Sequence, residues 1–157
     1  MQNITKNIIK HSFRVKNNIQ KDTFIPTTSW FEHQHIAEES AFTKQYISLC
    51  QKHNKQKKWV LFINPIESSI EELARLHNID TSQVLMVNFN KTFKNINSKD
   101  AKKKHLNSIK NALSNGNCSA VVLSETSLIK NHIEELESAA KQGETYCVIL
   151  EQQHKFH

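Results

Sequence analysis

Residues 59–65 read Trp59-Val60-Leu61-Phe62-Ile63-Asn64-Pro65, five apolar side chains in an unbroken row closed by an asparagine and a proline. A strand with one wet face alternates apolar and polar residues. An uninterrupted run this short belongs to a strand covered on both faces, as in a parallel sheet between helices. Upstream, the pattern from about His35 to His53 is helical, with Phe42, Tyr46, Ile47 and Cys50 on one face. Lys52, Lys55, Lys57 and Lys58 follow, where cations suit the negative end of a helix dipole. Downstream, Ser68-x-x-Glu71 and Ser69-x-x-Glu72 are two registers of a capping box. They predict a short helix with Ile70, Leu73, Ala74 and His77 inward.

The alternation then repeats. Val84-Leu85-Met86-Val87 reads as a second buried strand, and a polar stretch from Asn88 to Asn97 follows it. A helix starts near Ser98 with Leu106, Ile109, Ala112 and Leu113 as its stripe, and Asn115-Gly116 is suited to a left-handed end. Ala120-Val121-Val122-Leu123 is the third strand. A helix capped by Thr126 or Ser127 carries Ile129, Ile133, Leu136 and Ala140 inward and ends at Gly143. Tyr146-Cys147-Val148-Ile149-Leu150 is the fourth strand. Strands alternating with helices make βαβ units. The expected fold is therefore α/β: a single three-layer domain, with a mainly parallel sheet of about four or more strands and flanking helices. Its expected boundaries are a basic, loosely ordered N-terminal arm at 1–34, the α/β domain at 35–151, and a flexible tail at 152–157.

Composition narrows the function. The 157 residues are 38% apolar, enough for one core. No apolar run is long enough to span a membrane, and residues 1–18 lack the apolar stretch of a secretory signal, so a cytoplasmic protein is expected. Cys50, Cys118 and Cys147 are read as reduced thiols, the last two packed in or beside apolar strands. The chain has two glycines, Gly116 and Gly143. A phosphate-cradling loop needs several clustered together, and neither standard pattern occurs, so no nucleotide cofactor is expected. The formal net charge is +6, and residues 1–30 hold five basic side chains against the lone acid Asp22. Without a basic stripe interleaved with aromatics on a folded face, nucleic acid is not expected as the main partner.

Three constellations hold side chains capable of chemistry. Glu32, His33 and His35 stand close together, but no further pair with zinc-ligand spacing follows, so no metal is expected. Ser124 and Glu125 with His132 lack the elbow that presents a nucleophilic serine. Glu134, Glu135 and Glu137 read as a solvated helix face. No catalytic set emerges, and the expectation is a protein that is not an enzyme.

Residues 59–150 resemble the SulA family of cell-division inhibitors, which respond to DNA damage. The matching pieces are Lys58-Trp59-x-Leu61-x-Ile63-x-Pro65, the helix ending Leu76-His77-Asn78-Ile79, and the strand opening at Val84. The fullest block is Ile109-x-x-Ala112-Leu113-x-x-Gly116-Asn117-x-Ser119-Ala120-Val121-Val122, followed by Glu134-Glu135-Leu136-x-x-Ala139-Ala140-x-x-Gly143. The resemblance implies a trimmed RecA-like fold without the nucleotide loop. It implies stoichiometric binding of FtsZ, the tubulin-like GTPase of the division ring, with polymerisation and GTP turnover blocked by occlusion.

Among partner-binding positions, the resemblance implies Lys58 for the basic residue before the first strand. Leu73 stands where the family has an aromatic, and Gln83 where it has a basic residue. Arg75 and Lys91 are nearby cations that could replace the missing charge. The tail His154-Lys155-Phe156-His157 resembles those by which Lon protease recognises such inhibitors, and homodimer formation is within the family's range. The rival reading, favoured slightly by the basic arm and Lys102-Lys103-Lys104, is a RecA-like accessory protein of DNA repair or translesion synthesis that binds protein or DNA.

Overall fold

The protein is described from a computed structural model, for residues 29–53, 57–66, 70–89, 99–124 and 128–153. In chain order the elements are β1 (Phe31–Ile36), α1 (Glu39–His53), β2 (Trp59–Ile63), α2 (Ile70–His77), β3 (Val84–Val87), α3 (Lys99–Ser114), β4 (Cys118–Leu123), α4 (Lys130–Gly143) and β5 (Tyr146–Gln152). The five strands form one parallel sheet in the order β1-β5-β4-β2-β3.

The apolar strands explain the layers. β4 is buried at every position, which requires cover above and below. On one face Val60, Phe62, Ala120, Val122, Val148 and Leu150 pack under Phe42, Tyr46, Leu49 and Cys50 of α1 and Leu73 of α2. On the other, Ile63, Val121, Leu123, Cys147 and Ile149 pack under Ile109 and Leu113 of α3 and Leu136, Ala139 and Ala140 of α4. An ion pair of 2.7 Å between Lys110 and Glu135 links α3 to α4 across their solvent side.

One strand was not expected. Residues 31–34, assigned above to the arm, open β1, and the following helix begins at Glu39 rather than near His35. Among the described residues β1 pairs only with β5, Phe31 opposite Cys147 through Ile36 opposite Gln152. As an edge strand it needs no continuous apolar run, so Phe31-Glu32-His33-Gln34-His35-Ile36 hides it from a search for buried strands. Residues 1–28 and 154–157 lie outside the described residues, as do the side chains of the two capping boxes' Ser68, Ser69 and Glu71.

Helix ends follow backbone sterics more than side-chain caps. α4 begins after Ile129 with no side-chain cap, while Thr126 and Ser127 lie outside the described residues. At its other end Glu144, not Gly143, takes the left-handed conformation (φ 50°), and Thr145 N–H donates to Ala140 O at 3.0 Å. Gly143 serves a different purpose: a Cβ there would lie 1.9 Å from the Leu113 carbonyl oxygen. It is the point where the C-termini of α3 and α4 touch. Gly116 has the expected positive φ of 72°.

Candidate functional site

In an open α/β sheet the natural ligand position is off the carboxyl ends of the strands, where the strand order reverses. Here that point lies between β2 and β4, whose next residues are Asn64 and Ser124. It is plugged by hydrogen bonds. Asn64 adopts φ 50°; its N–H donates to Val87 O at 2.8 Å, and its Oδ1 accepts from Phe89 N–H at 2.8 Å. The Tyr46 hydroxyl reaches Ser124 Oγ at 2.6 Å and accepts from Ile66 N–H at 3.1 Å. What remains is a cavity of about 160 Å³, with Asn64, Lys102, His105 and His132 among its walls. Small-molecule sites usually offer ~300–1,000 Å³, more than this cavity has among the described residues.

The nucleophile reading of Ser124 finds no support in this geometry. Its hydroxyl is engaged by Tyr46, while His132 lies on the cavity wall and Glu125 is outside the described residues. The thiols are equally unpromising as nucleophiles. All three are buried and free, and burial pushes Cys50 up to about 11 and Cys147 up to about 12. Cys118 is also raised by burial, an effect the nearby Lys58 ammonium partly opposes. Raised thiols hold little of the reactive thiolate.

The other distinctive surface lies at the opposite edge of the sheet. β3 is four residues long and ends the sheet, so among the described residues one of its sides has no strand partner. Its register, Leu61 opposite Leu85 and Ile63 opposite Val87, sets Leu85 and Val87 on the face that α3 and α4 cover. That cover stops short of the edge: Trp59 is 40% exposed, Leu85 43% and Val87 37%. Lys58, exposed, precedes Trp59, and Gln83, half-buried, precedes β3. The two are held at the amino ends of adjacent strands, where Val60 N–H donates to Gln83 O at 2.8 Å. The result is a strip of apolar side chains beside an open strand edge, with a cation at one end.

The other expected contact residues fall elsewhere. Leu73 is 6% exposed and belongs to the core under α2, so its side chain is not presented to a partner. Arg75 is exposed on the last turn of α2, the helix that covers the opposite face of the sheet. The exposed Leu76 lies beside it. Lys91 and the tail His154, Lys155, Phe156 and His157 lie outside the described residues. The sequence reading missed Trp59, Leu85 and Val87 as contact candidates, since an apolar strand reads as core until its place at the sheet's end is known.

At the far edge, Glu32, His33 and His35 do not form one cluster. Glu32 turns to the α1 face, where its carboxylate accepts hydrogen bonds from Tyr146 Oη and Gln34 Nε2. Burial, and then this carboxylate, push the Tyr146 hydroxyl upward.

Among solved structures, the crystal structure of SulA from Pseudomonas aeruginosa matches with a TM-score of 0.61 at 16% identity, over 80% of this chain and 99% of that one. The chain thus has a SulA-like fold, a likeness of architecture at this identity. No family model and no curated protein matches the chain.

Proposed function

We propose that this chain inhibits cell division by binding FtsZ one to one and occluding a polymerisation surface, as part of the DNA-damage response. The observation that carries the reading is the SulA-like fold, which takes in 99% of the SulA chain of P. aeruginosa. The sequence resemblance over residues 59–150 supports it. So does the plugged switch point: a protein that acts by covering a surface needs neither a nucleotide loop nor a catalytic group. FtsZ hydrolyses GTP at a site completed between two subunits, so a protein that prevents subunit contact lowers turnover without touching the nucleotide.

The contact surface in this proposal is the β3 edge, with Trp59, Leu85 and Val87 as its apolar part and Lys58 as its charge. Aromatic anchors and an apolar centre ringed by polar groups are the usual composition of a binding hot spot. Gln83 lies within the same surface, so the charge the family carries there is replaced by an amide. The chain is not an enzyme in this reading, and it works in the cytoplasm beside FtsZ. No described helix is long and apolar enough to cross a membrane. Turnover by Lon through the C-terminal tail and pairing of two copies belong to the same proposal.

The test is GTP turnover and pelleting of FtsZ from the same organism while this protein is titrated through equal concentration. Loss of both, saturating near one to one, supports a sequestering inhibitor. Full polymer at several-fold excess overturns it, and DNA binding with a steep inverse salt dependence would then favour the repair-accessory reading.

A further inference from the structure

His33 and His35 occupy alternate positions of β1, so both imidazoles project from the same face of the sheet. Glu151 is the register partner of His35 on β5 and projects from that face as well. The three side chains meet at the carboxyl-end corner of the sheet. His33 Nε2 lies 2.9 Å from Glu151 Oε2, and His35 Nδ1 lies 3.9 Å from the same oxygen. The imidazole centroids are 4.9 Å apart, and one ligand atom from each residue falls within 4.8 Å of the other two.

We propose that His33, His35 and Glu151 form a binding site for a divalent transition metal, with zinc as the first choice. Zinc sits about 2.0–2.2 Å from imidazole nitrogen and carboxylate oxygen, so its ligand atoms stand roughly 3.3–3.5 Å from one another. The separations of 2.9 and 3.9 Å lie on either side of that value. Closing the set needs small rotations of side chains free to make them: His35 is 62% exposed, His33 28% and Glu151 31%. Two neutral imidazoles and one carboxylate suit zinc, copper and nickel, and do not suit magnesium or calcium, which prefer oxygen ligands. Three protein ligands leave open positions for water. The contact already present between His33 and Glu151 places a proton where the metal would sit, so metal and proton compete for one position.

The site is assembled across two strands joined by parallel pairing, from residues 33, 35 and 151. Backbone bonds hold the frame in place independently of any ion: Cys147 N–H donates to Trp30 O and Gln153 N–H to Ile36 O, each at 2.8 Å. A bound metal adds a clamp between the first strand and the last, and affects β1 more than any other element.

The test uses the full chain, purified free of metal and without an added histidine tag. Zinc titration by calorimetry should show one ion per chain, and cobalt should give the visible absorption of a low-coordinate site. His35→Ala and Glu151→Gln should each weaken zinc at least tenfold and abolish the cobalt band, with unchanged circular dichroism. Replacing His11, His154 and His157 together by alanine should leave binding intact, and a millimolar excess of magnesium should not compete. Zinc binding that survives His35→Ala and Glu151→Gln, or is lost in the triple variant, overturns the assignment; so does absence of binding to the wild-type chain.

Discussion

Asn64 carries two constraints with one side chain. Its positive φ is a conformation that asparagine tolerates and alanine resists by about 1–2 kcal/mol, and its Oδ1 holds the Phe89 N–H at 2.8 Å. Leaving a buried donor without an acceptor costs about 1–3 kcal/mol. Asn64→Ala should therefore lose both terms, about 2–5 kcal/mol in urea unfolding. Asn64→Gly should lose only the second and come out about 1 kcal/mol more stable than the alanine variant. Asn64→Asp, which keeps an acceptor, should stay closest to wild type. His53 poses a different residue-scale question. It is 5% exposed, neither ring nitrogen has a hydrogen-bond partner among the described residues, and the ring stacks on Tyr146 at 5.2 Å. Burial, and then the neighbouring Lys52 ammonium, hold its imidazole below the usual 6.5. The unfolded chain accepts the proton that the folded chain resists, so this contribution is complete above pH 6.5 and is lost as pH falls below it. His53→Phe keeps the stack and removes the titration. Stability measured from pH 7 down to pH 5 should fall less steeply in that variant than in wild type.

Among the elements, the junction of α3 and α4 is the least forgiving. Gly143 brings the two helix ends so close that a methyl group would overlap the Leu113 carbonyl at 1.9 Å. The obstacle is backbone, which cannot rotate away as a side chain can. Gly143→Ala should lower stability by about 3 kcal/mol, the upper part of the usual overpacking range, and calorimetric melting checks it. Ser114→Ala, beside the same junction, should change little, since its hydroxyl makes only a long 3.4 Å bond to Asn111 O. Element by element, the sequence disclosed what two-sided burial writes into it. β2, β4 and β5 show as apolar runs, and Leu106, Ile109 and Leu113 or Ile133, Leu136 and Ala140 as helical stripes; Ile129, expected inward, is exposed ahead of α4, and β3, expected to be buried, exposes Leu85 and Val87. β1 escaped because an edge strand with one neighbour can carry Glu32, His33, Gln34 and His35 without penalty. Gly143 was located correctly as a helix end, but its role differs. The left-handed turn falls to Glu144, and only the approach of a helix distant in sequence explains the glycine.

For the whole molecule, the proposed partner surface and the core are separable. Lys58→Glu and Leu85→Glu change exposed positions on the β3 edge, so each should leave the urea midpoint within about 0.5 kcal/mol of wild type. Each should weaken FtsZ binding by tenfold or more, measured by titration of labelled protein, whereas Arg75→Glu on the other face of the sheet should not. Unchanged affinity in both edge variants would remove this edge from the interface. Such a surface was only half legible in advance. Lys58 and Gln83 entered from resemblance and lie together beside this edge, Leu73 is buried as its place on the helical stripe implied, and nothing in the periodicity of Val84-Leu85-Met86-Val87 says that the sheet stops there. Sheet order is a long-range property, decided by which strands find each other, and it also bears on how the protein is born. Among the described residues β1 is the first strand made and β5, its neighbour in the sheet, is the last. At ~5–20 residues per second, synthesis separates the two by roughly ten seconds. Throughout that interval the nascent chain carries β1 without the strand it pairs with in the described sheet. The described sheet therefore closes only once β5 has been made, and a message cut short before residue 146 yields a chain in which β1 lacks the strand it is seated against.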